Sequence, residues 1–156
     1  MDLLDNDIDL ILKEISKTDN VLSYSKKELL RAVNEGIVSI IKNDNEIIGL
    51  SIHKNINYKW TELSLLLIFS KYRRKGHGQK TYNETRNLLK DNSLYCCSKN
   101  PIIQDWLITD GFVEVSCRQL PRVIIMHLLK TKFKSYKLID LLRKGSINDW
   151  NHYIRK

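Results

Sequence analysis

Cysteine, proline and glycine are all scarce in this chain: 3, 2 and 6 of its 156 residues. The cysteines (Cys96, Cys97 and Cys117) are odd in number and lack C-x-x-C spacing, which argues against both a disulfide framework and a zinc site. A reduced, cytoplasmic protein is the simple expectation. The histidines His53, His77, His127 and His152 show no metal-ligand spacing either. No apolar run approaches the roughly 18 residues of a membrane-spanning helix. The chain opens with Asp2, Asp5, Asp7 and Asp9 in place of the basic start of a signal segment. Internal repeats and low-complexity segments are also missing.

What is present describes a folded α/β chain. Apolar residues make up 42% and charged residues 28%, and the length fits one domain with a genuine core. Residues 1–17 read as an amphipathic helix, with Leu4, Ile8, Ile11, Leu12 and Ile15 on one face. Ser25-Lys26-Lys27-Glu28 is a capping-box pattern opening a second helix that stops at Gly36. Two strands, 37–42 and 46–54, flank the hairpin signal Asn43-Asp44-Asn45. A nearly continuous apolar run, 63–69, reads as a strand covered on both faces. A helix follows, with Tyr82, Leu88 and Leu89 on one side, and then a strand at 94–98 that a helical crossover makes parallel to 62–69. Asn100-Pro101 opens a further helix ended by Gly111, and 112–118 and 122–129 read as two antiparallel strands.

The chemistry concentrates between the central strand and the helix after it. Ser70-Lys71-Tyr72-Arg73-Arg74-Lys75-Gly76-His77-Gly78 is a basic loop with two glycines. First-turn amides of a helix lack intrahelical acceptors, and the helix dipole adds positive potential there. Gly76 and Gly78 allow positive φ and close approach of an anion, while Arg73, Arg74 and Lys75 add full charges. A solvated turn with an ordinary helix start is the plain alternative. No Gly-Lys-Ser/Thr follows, and Thr81 breaks G-x-G-x-x-G, so neither common nucleotide loop is present.

Arg73-x-x-Gly76-x-Gly78 resembles the Arg/Gln-x-x-Gly-x-Gly/Ala signature of the GNAT superfamily, the acyl-CoA-dependent N-acetyltransferases. Residues 72–78 are similar to the family's Tyr-Arg-Gly-Lys-Gly-x-Gly form, with Arg74 at its first glycine. Asn100 and Gly111-Phe112 stand where the family's Asn and Gly-Phe markers usually do, and the likeness covers about residues 25–128. It implies a single α/β domain of GNAT type, with a mixed central sheet, a splayed pair of parallel strands and flanking helices. The family's usual first strand has no room here. The resemblance further implies that acetyl-CoA is the acyl donor, with no metal. Ile68, Arg73, Arg74, Lys75, Gly76, His77, Gly78, Gln79 and Asn100 would be its cofactor-binding residues. A bulge near Ile68 would splay the parallel strands and free a backbone N–H for the acyl carbonyl.

Acyl transfer to an amine needs a base, because a lysine-like amine starts near pKa 10.4. Glu62, eleven residues before Arg73, has the spacing of the catalytic Glu in lysine-acetylating members of the family. A solubilising Glu at an exposed strand start is the other reading. The usual general-acid Tyr falls at Leu107. Tyr82 and Tyr95 are possible substitutes that read equally as core aromatics, and loss of the acid is tolerable for a thiolate leaving group. Ping-pong chemistry is disfavoured because Cys96 and Cys97 lie in a buried strand. Thr18-Asp19-Asn20 and Arg118-Gln119 stand where an amine acceptor, small molecule or protein, would be gripped.

From Leu129 onward eight basic residues face only Asp140 and Asp149, so this segment carries six of the chain's net eight positive charges. It is expected as a basic helical extension, 131–156, beside a catalytic domain at 1–130. Leu138, Leu141 and Leu142 suggest one helix, and Ser146 caps another containing Ile147, Trp150 and Ile154. Packing on the domain and contact with nucleic acid are both open for it, the latter raising the alternative of a nucleic-acid-modifying enzyme. The missing Tyr at Leu107 raises the other alternative, a degenerate, non-catalytic CoA-binding or DNA-associated protein.

Overall fold

The computed structural model describes residues 5–18, 21, 23–44, 46–132 and 150–156. Six strands form one mixed sheet in the order β1-β2-β3-β4-β6-β5. The residues cluster as two compact units, 1–54 with 64–90 and 55–63 with 91–156, and the third strand contributes to both.

The first unit begins with α1 (Asp5–Ser16), whose Ile8, Ile11 and Ile15 recur at helical spacing and are fully buried. In α2 (Lys26–Asn34) the Ser25 side chain accepts from the Glu28 amide, and Glu28 returns the bond to the Ser25 amide. β1 (Val38–Asn43) and β2 (Glu46–Asn55) form the expected hairpin, with Asp44 in the left-handed region at φ 48°. Their register shifts between Ile41, paired with Gly49, and Lys42, paired with Ile47, so Ile48 is an extra residue on β2. β3 (Trp60–Ile68) supplies Leu65 and Leu67 to a core of α1, α2, β1 and β2 residues. The helix after the loop, α3 (His77–Leu88), buries Thr81, Tyr82 and Thr85, and Thr85 Oγ1 lies 3.0 Å from the buried Ser51 hydroxyl. Leu88, expected on the packed side, is 72% exposed; the buried stripe of this helix is set by its threonines and Tyr82.

The second unit contains β4 (Ser93–Ser98), α4 (Pro101–Thr109), β5 (Val113–Val115), α5 (Arg122–Lys132) and β6 (Asn151–Arg155). β3 and β4 are parallel, as the crossover requires, over Trp60–Leu63 against Ser93–Cys96. The ladder lapses there although β3 runs on to Ile68 and β4 to Ser98, as the expected splay demands. Asn100 caps α4, and Gly111 follows that helix at φ 79°.

Three expectations for the C-terminal part are corrected. Residues 122–132 are helical, not a strand. The β-branched run Val123-Ile124-Ile125 suggests a strand, but Leu120 and Ile124 are buried against Trp60 and Tyr95, and Leu128 packs on the same cluster. Met126 and Leu129 stay about half exposed, so burial follows the helical period, and tertiary packing overrides local preference. Residues 151–155, expected in a helix, form β6 between β4 and β5 and antiparallel to both. The strand expected at 112–118 is shorter, ending at Val115 before a 3₁₀ turn, Cys117–Gln119. The leucine helix expected around 138–142 lies outside the described residues. Among the described residues no helix is long and apolar enough to cross a membrane.

Gly49 tests the bulge. A Cβ there would run into the Leu67 carbonyl oxygen and come within 3.1 Å of Ile68 Cα, both backbone groups that cannot swing aside. Gly49→Ala should cost about 2 kcal/mol or more, as overpacking at a backbone contact does. Denaturant titration should show a lowered midpoint at unchanged slope.

Candidate acyl-transfer site

The loop between β3 and α3 is held from several sides. Its first residue, Ser70, donates through its amide and its hydroxyl to Glu14 Oε2, each at 3.2 Å. Arg73 Nε donates to the Ile68 carbonyl at 2.9 Å, and its Nη2 donates to Thr18 Oγ1 at 3.0 Å. Arg73 therefore ties the loop to the end of β3 and to the residues following α1. Thr18 in turn donates to the Glu14 carbonyl, and Lys17 to the Glu14 carboxylate. Asp19 and Asn20 lie outside the described residues.

Past that anchor the backbone makes two left-handed steps, Arg74 at φ 62° and Gly76 at φ 80°. An L side chain in this region costs roughly 1–2 kcal/mol. Arg74 bears that strain at the position where the family form carries a glycine. Gly78 takes no positive φ; it lies in the first turn of α3, so only Gly76 uses the conformational freedom expected of both. Gly76 is the N-cap of α3 and has no side chain to cap with. The first intrahelical bond runs from the Lys80 amide to the Gly76 carbonyl, which leaves the amides of His77, Gly78 and Gln79 without a helical acceptor. Arg74, Lys75 and Gln79 are exposed around this helix start, with Lys75 Nζ 5.7 Å from the Tyr72 ring centre. The donor set fits a phosphate: three amides at the positive end of a helix, no capping side chain, and two exposed cations. Ile68 is buried, and its carbonyl is taken by Arg73.

In the second unit Glu62 is 1% exposed, which removes the reading of it as a solubilising residue. His127 Nε2 donates to its Oε2 at 2.8 Å, and the His127 side chain keeps 13% of its surface. Register sets Glu62 beside Tyr95 across the parallel ladder. The Tyr95 hydroxyl lies 2.8 Å from His152 Nδ1, and burial, with Cys97 and Glu62 nearby, drives its ionisation far above the usual phenol range. That buried phenol keeps its proton. Tyr82 is a core residue as well, and Leu107 is fully buried. Asn100 Oδ1 accepts from the Ile102 amide at 3.0 Å and so serves as a helix cap. Arg118 and Gln119 stand in the 3₁₀ turn, where Gln119 Oε1 accepts from the Ser116 amide at 2.9 Å. His127 and His152 had no visible partner in the sequence. A helical period through Ile124, His127, Leu128 and Thr131 was the available signal, hidden by the β-branched run. Among the described residues no group of three or more metal-ligating side chains is assembled.

Solved structures similar to this chain include N-acetyltransferases and proteins bound to coenzyme A. The Mycobacterium tuberculosis protein Rv2747, in complex with CoA and NLQ, superposes at TM-score 0.70 with 11% identity, over 96% of this chain and 93% of that one. N-acetylglutamate synthase from Neisseria gonorrhoeae, complexed with coenzyme A and N-acetyl-glutamate, gives TM-score 0.67 and 16% identity over 97% of this chain. This chain spans only 32% of that synthase. Arabidopsis thaliana Naa50, in complex with the bisubstrate analogue CoA-Ac-MVNAL, gives 0.65 and 10%, over 100% of this chain and 95% of that one. No protein-family model and no curated sequence matches the chain. At these identities the likeness shows the fold: this chain has the GNAT fold.

Glu14 gives the anchor a pH signature. Burial pushes its carboxyl up, but the Ser70 amide, Lys17 and the Ser70 hydroxyl together outweigh burial and hold it below the ordinary value. The unfolded chain then takes up the proton first as pH falls. The anchor's contribution is complete above the ordinary glutamate value of about 4.3 and is lost as pH drops through the lower folded value. Glu14→Gln should cost about 1.5–3 kcal/mol near pH 7, the range for hydrogen bonds to a charged group. Urea titrations across pH should show the two proteins converging below about pH 4.

Proposed function

We propose that this chain is an N-acetyltransferase that moves an acetyl group from acetyl-CoA to an amine by direct attack. One observation carries the reading: the uncapped start of α3, with Gly76 left-handed and the amides of residues 77–79 unpaired within the helix, on a fold shared with an N-acetylglutamate synthase complexed with coenzyme A. When bound, acetyl-CoA supplies an activated carbonyl and a thiol leaving group. The amides of His77, Gly78 and Gln79, with Arg74 and Lys75, would hold its phosphates, and Arg73 keeps the loop in shape. Asn100 is retained as a second cofactor contact through whatever its capping role leaves free.

Glu62 and His127 together supply the base. A carboxylate only 1% exposed accepts the imidazole Nε2–H, which leaves Nδ1 of the more exposed ring to take a proton. The carboxylate fixes the tautomer and stabilises the imidazolium that forms. The amine becomes nucleophilic as its proton passes to this pair, and the thiol of pKa near 8.5 departs as thiolate without a dedicated acid.

Acetyl-CoA should raise the melting temperature in a concentration-dependent way, because it binds the native state selectively. Replacing Gly76 and Gly78 together with bulkier residues should abolish that shift; an undiminished shift in the double variant would exclude the loop as the phosphate site.

Turnover, followed as CoA release across a panel of peptide, amino-acid and polyamine acceptors, should fall about 10²–10⁴-fold in Glu62→Gln and in His127→Gln. Cofactor binding should persist in both. The double variant should be no slower than the slower single one, since the pair acts as a unit. Independent, multiplying losses would separate the two residues.

A further inference from the structure

Cys117 is the exposed member of three free cysteines, and it does not stand by itself. Its Sγ lies 2.9 Å from Nε2 of His152. His152 is 7% exposed, and its Nδ1 is 2.8 Å from the fully buried Tyr95 hydroxyl. The Tyr95 and His152 rings stack at 19° with centres 6.0 Å apart. Position is set by backbone as well as by side chains. His152 pairs with Cys97 on one side and Val115 on the other, in the strand between β4 and β5. Cys117 begins the 3₁₀ turn two residues past Val115, and the Ser116–Gln119 capping box braces that turn. The surroundings of this pair are apolar: Cys97, Val115, Leu120 and Ile154 belong to the cluster around Tyr95. An imidazole buried in such a cluster is costly unless both nitrogens are satisfied, and here both are.

A thiol in reach of an imidazole that a third group orients is the arrangement of an activated nucleophile. We propose that Cys117 is an S-acylation site, accepting acyl groups from thioesters with His152 as general base and Tyr95 as the residue that positions it. The Cys117 S–H proton passes to Nε2 while Sγ attacks the thioester carbonyl. The tetrahedral oxyanion collapses, the C–S bond to the donor breaks, and the departing thiolate takes the proton from Nε2. One thioester replaces another, so no oxidant or energy source is consumed. The choice of a thioester donor rests on the reading of the chain as an acetyl-CoA user. Exposure of Cys117 places it apart from Cys96, which is buried with its thiol directed at the Leu63 carbonyl, 3.6 Å away.

The test uses the full chain with two donors, acetyl-CoA and the small thioester S-acetyl-N-acetylcysteamine, followed by peptide mass spectrometry at mildly acidic pH. An acetyl group should appear on Cys117, be removable by neutral hydroxylamine, and be missing in Cys117→Ser. His152→Gln should slow its appearance about a hundredfold, the scale of general-base assistance. Tyr95→Phe should slow it by about tenfold while the hydroxylamine sensitivity stays. Should His152→Gln fail to fold, the wild-type ratio of acetyl on Cys117 to acetyl on Cys97 takes its place, and a large excess on Cys117 is expected. Labelling by the small thioester alone supports the Cys117 site and counts against acetyl-CoA as the chain's donor. No acetyl on Cys117 from either donor, or equal rates in a folded His152→Gln protein, overturns the inference. The acetyl-CoA thermal shift judges the proposed function separately.

Discussion

Four consecutive backbone pairings, Trp60–Leu63 with Ser93–Cys96, are the constraint on which most of the molecule depends. Parallel neighbours cannot be joined by a hairpin, so a crossover must leave the end of β3 and return to the start of β4. That requirement produces the loop at residues 70–76 and the helix that starts immediately after it. The same pairings put Glu62 beside Tyr95 and bury both. β3 thus leads into the loop and carries the buried carboxylate.

Three buried polar groups answer a desolvation cost with specific partners. Glu14 is met by Ser70 and Lys17, Glu62 by His127, and His152 by Tyr95 and Cys117. Such pairs add little net stability compared with apolar packing, but removing one member strands the other at considerable cost. They hold geometry. Glu14 fixes where the loop begins, and Glu62 fixes which nitrogen of His127 remains available. Arg73, which reads in sequence as a cation for an anionic ligand, spends two donors on the Ile68 carbonyl and Thr18 and acts as a brace.

Where local signals agreed with packing, the sequence was legible. The Ser25 capping box, the Asp44 turn, the Asn100 cap and the parallel crossover all rest on short-range chemistry, and each is present. The loop from Ser70 to Gly78 was legible as the start of a helix after the central strand, though not the division of labour between Gly76 and Gly78. Failure came where tertiary contacts chose against propensity. Val123-Ile124-Ile125 is strand-like by composition, but Ile124 must bury against Trp60 and Tyr95 once per helical turn. That error concealed His127. The strand at Asn151–Arg155 was invisible for a related reason: its two partners lie far upstream, and nothing within five residues announces them.

The position of β6 has a consequence for how the chain is made. β6 fills the gap between its partners β4 and β5, so the hydrogen-bonding edges of Cys97 and Val115 stay open until His152 has been synthesised. A nascent chain emerging from a ribosome can close the α1–α2–β1–β2 core early, because its contacts are local in sequence. The later half must wait with two unpaired strand edges, the feature that invites association with other chains. Pairings of such long sequence separation are also slow to form. Completion of this fold therefore follows vectorial order: β6 is inserted between two strands that were made before it.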